Sequence, residues 1–171
     1  MRRRVWVPLA AVLTVGALAI GTSVVTAGAS VASAKAPVCA GKTKKKAIKD
    51  IKKAFDYFLN GTVGRAPEEK IPFIETMDTD PEFEALYLAG AEANAAQAAT
   101  TSVKVNSVKC VGKKEALVDA DLVLNGTQTP GILLPSNAVL IGKVWKVSKG
   151  AFCDLTALGD PTVLESGPCA G

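Results

Sequence analysis

Four cysteines and no histidine set the chemistry open to this 171-residue chain. Without histidine, neither Ser–His–Asp nor Cys–His catalysis can be assembled, and most zinc and iron sites lose their commonest ligand. Cys39, Cys110, Cys153 and Cys169 include no pair at C-x-x-C spacing, so a zinc cluster is disfavoured and two disulfides are expected. Asp119 and Asp121 project from one face of a strand, about 7 Å apart. Such a pair suits acid–base work or a calcium ion, but the spacing is equally that of ordinary solvent-facing residues. Tyr57 and Tyr87 fall on helix faces turned toward the core, either as packed rings with satisfied hydroxyls or as the lining of a pocket. The glycines mark turns, and no phosphate-binding loop or dinucleotide fingerprint is present. No catalytic residue, metal ligand or cofactor is therefore assigned, and the chain is expected not to be an enzyme.

The disulfide reading needs an oxidising compartment, and the N-terminus supplies one. Arg2-Arg3-Arg4 precede an apolar run from Val5 to Ile20, and small residues lead to Ala32-Ser33-Ala34. That order is a secretory signal with an A-x-A cleavage site, so residues 1–34 are expected to be removed and 35–171 to form one disulfide-bonded domain. The alternative is an uncleaved anchor, since Val5 to Val25 carries no charge and is just long enough to span a bilayer. Pro8, Gly16 and Gly21 speak against it. A lipid anchor at Cys39 is disfavoured by Pro37 and the β-branched Val38 before it.

Charge narrows the partners. Removing three arginines from 20 basic residues leaves 17 against 16 acids, a net of +1, which gives no indication of nucleic-acid binding. The distribution is uneven, with eight lysines and one acid, Asp50, between Lys35 and Phe55. Lys44, Lys45, Lys46, Lys49, Lys52 and Lys53 form a candidate anion-binding patch for an acidic cell-envelope polymer or an anionic head group. The plainer reading is the solvated face of an amphipathic helix. An envelope protein is a further possible partner; a membrane enters only if the signal stays.

The elements that position these residues follow from periodicity. Ala47, Ile48, Ile51, Ala54, Phe55, Phe58 and Leu59 recur at helical spacing, predicting a helix from Thr43 to Asn60 with Thr43 as cap and Asn60-Gly61 as a left-handed stop. Pro67-Glu68-Glu69 opens a short helix that carries Ile71, Phe73 and Ile74 inward and is cut by Pro72. Asp80-Pro81 starts a third helix running to about Ala98. The period then changes: Ser102 to Val111 reads as a strand with a bulge, and Ala116 to Leu124 as a half-buried antiparallel strand. Asn125-Gly126 is a turn. Gly131 to Ile141, with Pro135 inside, is an edge strand or a broken one. Gly142 to Lys149 is the last strand, and Phe152 to Leu158 a short helical turn. The result is an α+β domain with N-terminal helices packed on an antiparallel sheet of three to four strands. Of three possible disulfide connectivities we favour Cys153–Cys169, pinning the tail, and Cys39–Cys110, tying the lead of the first helix to the sheet.

Together these pieces resemble a known family. They are A-I-K-D-I-K-K-A-F-D-Y-F-L-N-G from Ala47, K-I-P-F-I-E from Lys70, V-D-A-D-L-V-L-N-G from Val118, and K-V-W-K-V-S-K-G-A-F-C-D-L-T-A-L-G from Lys143 to Gly159. The chain is similar to the secreted actinobacterial low-molecular-weight antigen family over roughly Ala47 to Gly159. The resemblance implies a cystatin-like or nuclear-transport-factor-2-like cone, a curved sheet wrapping a long helix, and brings no catalytic residues with it. The expected function is that of a secreted, non-enzymatic binding protein of the cell envelope or medium. Two alternatives stand: a small-molecule-binding or enzymatic cone using an acid such as Asp119, and a membrane-anchored accessory subunit of an envelope lipid-import complex. A deep apolar pocket would favour the first alternative; a cone filled by Phe55, Phe58 and Trp145 would oppose it.

Overall fold

The computed structural model describes residues 36–130, 136–165 and 167–170, so the expected signal segment, residues 1–34, lies outside the described residues. Helix α1 (Lys44–Leu59) buries one stripe, Ala47, Ile51, Ala54, Phe55 and Phe58, and leaves its lysines in solvent. Thr43 precedes it but does not cap it. Its hydroxyl turns back and donates to the carbonyls of Val38 (2.8 Å) and Ala40 (3.0 Å), closing the turn at Gly41–Thr43 instead. The helix ends without a left-handed residue. Asn60 is extended (φ −85°, ψ 92°), and its side chain donates to the Asp56 carboxylate at 2.9 Å.

Helix α2 (Pro67–Lys70) is one turn long and tightens into a 3-10 turn at Ile71–Phe73, where Pro72 has no N–H to continue the α-helical ladder. Helix α3 (Pro81–Ala93) starts as the sequence implies, with the Asp80 carboxylate accepting from the Phe83 N–H at 3.1 Å. Helix α4 (Ala95–Ala98) follows after a break at Asn94. Between α2 and α3, Ile74 forms a parallel bridge to Val147, fastening this loop to the sheet.

Among the described residues five antiparallel strands make the sheet: β1 (Thr101–Cys110), β2 (Glu115–Leu124), β3 (Thr127–Thr129), β4 (Ser136–Ile141) and β5 (Val144–Val147). The order is β1-β2-β4-β5, with β3 pairing the far end of β2. The bulge in β1 falls between Val105 and Ser107. Asn125 and Gly126 both have positive φ, 51° and 78°, as the tight β2–β3 turn demands. The strand β4 begins directly after Pro135 and pairs β2 on one side and β5 on the other. It is therefore not an edge strand, and residues 131–135 of the expected strand lie outside the described residues. Extra strand β3 is three residues long and polar, too short to show a period.

The inner face of the sheet presents Ala116, Val118, Ala120, Leu122, Ala138 and Leu140. The small alanines leave room for Phe55 of α1 and Trp145 of β5, both buried. Burying a ring such as Phe55 contributes about 2–3 kcal/mol. Trp145 Nε1 donates to the Pro37 carbonyl at 2.7 Å, holding the lead segment on the core. Helix α5 (Lys149–Ala157) is longer than the sequence pattern suggests, because Ser148 caps it by accepting from the Ala151 N–H at 3.1 Å. Phe152 on α5 sits amid an aromatic cluster, with ring centroids 4.8 Å from Phe83, 5.8 Å from Phe58 and 6.0 Å from Tyr87. Two disulfides join Cys39 to Cys110 and Cys153 to Cys169, with Cα separations of 5.7 and 5.5 Å.

Candidate functional site: an apolar cleft with a buried lysine

A cleft of about 510 Å³ opens beside the aromatic cluster, where the end of α1, helices α2 to α5 and the far ends of β1 and β2 meet. Such a volume lies within the range of small-molecule sites. Phe58, Leu86, Tyr87, Leu122, Phe152 and Leu155 give it an apolar wall. Phe55 and Trp145 fill the space under the sheet, but Phe58 borders this opening without closing it.

Two glycines shape the wall. At Gly61 a Cβ would overlap the Ala98 carbonyl, so the glycine is needed for close backbone approach, not for a left-handed turn. Its N–H donates to the Thr101 carbonyl at 2.9 Å, sealing α1 to the start of β1. Gly90 of α3 has open space around the position its Cβ would take.

Lys70 is the sole charged side chain of the lining among the described residues. Only 9% of it is exposed, and among the described residues it makes no hydrogen bond or ion pair. Burial, and secondarily the positive charge of Arg65, hold its ammonium below the usual lysine pKa. Arg65 is itself engaged, at 3.2 Å from Asp56 and stacked 4.1 Å above the Tyr57 ring. Tyr87 donates its hydroxyl to the Pro67 carbonyl at 3.2 Å. Burial, reinforced by the negative charge of Glu68, pushes its pKa up to about 12. Tyr57 packs against Phe73, with ring centroids 4.5 Å apart, and lies away from the cleft lining.

The acids singled out from the sequence lie elsewhere. Asp119 and Asp121 alternate with the inward-facing Val118, Ala120 and Leu122, so they project from the other face of β2. Asp121 is buried and accepts from Gln128 Nε2 of β3 at 2.6 Å, a structural tie. Among the described residues no cluster of acids and cysteines is arranged to hold a metal. The six lysines of the candidate patch are all exposed along α1. Lys46 pairs with Asp50 at 2.6 Å and Lys53 lies 5.0 Å from the Tyr57 ring centre, whereas Lys44, Lys45, Lys49 and Lys52 face solvent without a partner among the described residues.

Sequence reasoning missed Lys70 and the cleft itself. Helical spacing carries no signal here, because α2 ends at Lys70 and the chain is extended by Ile74. The charge pattern argued against burial, because a lysine ending a one-turn helix is normally a solvated cation beside the helix C-terminus.

No curated protein and no solved structure matches the chain. A family model does match residues 43–163, from the start of α1 to the turn beyond α5. The chain belongs to the family of the low molecular weight antigen MTB12, C-terminal domain.

Proposed function

We propose that this is an exported, non-enzymatic binding protein of the cell envelope or culture medium, and that the cleft beside α3 and α5 is where it binds a small apolar molecule. The observation that carries this reading is an open, apolar cleft in a domain whose sheet interior is otherwise filled. Export is supported by the N-terminal signal pattern and by two disulfides. Among the described residues no helix is long and apolar enough to cross a membrane. The lysine face of α1 gives a second, weaker contact, a salt-sensitive attachment to acidic envelope polymer. An enzymatic reading through Asp119 lacks support, because that carboxylate lies on the far face of β2 from the cleft.

The test uses the mature chain and the uncharged fluorophore Nile red. Saturable binding by the wild type, lost in Gly90→Phe, is the expected result, since a ring at that position enters the cleft. Undiminished binding in a folded Gly90→Phe, or none to the wild type, rejects the cleft as the binding site.

A further inference from the structure

We propose that the cleft takes an aliphatic monocarboxylate, its carboxylate held by Lys70 and its chain laid along the wall of Leu86, Leu122 and Leu155. The proposal rests on the cleft being the binding site, and the experiment below separates the two.

A buried cation without a counter-charge is costly, and folded proteins keep one where something compensates it. Among the described residues no carboxylate pairs with Lys70, whose ammonium keeps access to solvent where the side chain lines the cleft. The other polar groups of the wall are already engaged, save the exposed, uncharged amide of Gln97. Tyr87 donates to Pro67, Asn94 to the Gly90 carbonyl at 2.8 Å, Thr101 to the Gln97 carbonyl at 2.8 Å and Thr156 to the Phe152 carbonyl at 3.0 Å. The ammonium of Lys70 is thus the charged donor left to meet a ligand's head group, and the desolvation that lowers its pKa is what an incoming anion would reverse.

The chemistry of the head group follows from that donor. A single ammonium is a compact point charge, matched by one carboxylate. A phosphate dianion calls for a second cation or a guanidinium fork, and the nearest guanidinium, Arg65, is committed to Asp56. The tail follows from the wall, where the leucines and Phe152 offer apolar surface and no further charge. Space for it is present at Gly90, where no atom beyond the neighbouring backbone of α3 lies within 4 Å of the position of a Cβ.

Palmitate and hexadecanol, equal in chain length and different in head-group charge, are titrated into the mature protein, Lys70→Met and Gly90→Phe. Lys70→Met keeps the stem and removes the charge; Lys70→Gln is the second variant should the first not fold. The wild type is expected to prefer palmitate by about tenfold, one charge-assisted hydrogen bond's worth. Lys70→Met should abolish that preference while leaving hexadecanol bound as tightly or more so, and Gly90→Phe should weaken both. Equal binding of the two ligands to the wild type, or a preference that survives Lys70→Met and Lys70→Gln, overturns the role of Lys70 but leaves the cleft a binding site. Failure of both ligands and of Nile red to bind removes the binding site as well.

Discussion

The carbonyl of Ala98 stands where a Cβ of Gly61 would be, so the end of α1 and the end of α4 touch backbone to backbone at the rim of the cleft. Because the obstacle is backbone, it cannot swing aside as a flexible side chain would. Gly61→Ala is therefore expected to destabilise the fold by about 1–3 kcal/mol, the usual cost of overpacking. Urea unfolding measures it. A midpoint equal to the wild type's would mean that this contact is not close in solution.

The two disulfides should differ in weight. Cys39 and Cys110 are 71 residues apart and Cys153 and Cys169 only 16, so the longer loop constrains the unfolded chain more. Chain entropy assigns them about 4 and about 3 kcal/mol. Cys39→Ala with Cys110→Ala should thus lower the guanidinium midpoint more than Cys153→Ala with Cys169→Ala. The first pair should also free the lead segment that Trp145 holds through Pro37. The reverse ranking would show that packing of the tail against α5, not loop length, sets the difference.

Much of this architecture is written locally. The 3.6-residue stripe from Ala47 to Leu59, the Asp80 cap, the bulge near Val105 and the Asn125-Gly126 turn each depend on residues within one element, and each appears where its pattern lies. The parts that were illegible depend on distant neighbours. Whether Gly61 serves conformation or close approach is decided by Ala98, and no local pattern carries that. The cleft needs five helices and two strand ends to meet, so its lining has no period of its own. The fate of Lys70 is the sharpest case: it ends a helix of one turn, and α3 and α5 determine whether it meets water.

Alkaline pH should separate Tyr87 from Lys70. The unfolded chain gives up the Tyr87 proton near 10.0, while the folded protein holds it until about 12. The unfolded state therefore binds fewer protons in that interval, and stability falls as pH rises from 10 to 12, by about 2–3 kcal/mol. Lys70 acts oppositely. Its folded pKa lies below 10.5, so stability rises as pH climbs from that lowered value toward 10.5. Thermal midpoints of Tyr87→Phe should show less loss above pH 10 than the wild type. Those of Lys70→Met should exceed the wild type at pH 7 and converge with it near 10.5. Parallel profiles for all three proteins would show that neither group is perturbed by folding.

The lysine face of α1 offers a final test, because stability and attachment should come apart there. Lys45, Lys49 and Lys52 are exposed and make no hydrogen bond or ion pair among the described residues. Changing all three to glutamine should leave stability within about 0.5 kcal/mol of the wild type, as for surface changes that remove no contact. Any attachment through this face acts between exposed charges and is screened over about 8 Å at physiological salt. Retention on anionic liposomes at low salt should accordingly be weak in the wild type, fall further as salt is added, and be absent in the triple variant. Retention unaltered by the three substitutions would reduce the lysines to the solvated side of an amphipathic helix, with the cleft as the sole binding element of the proposed function.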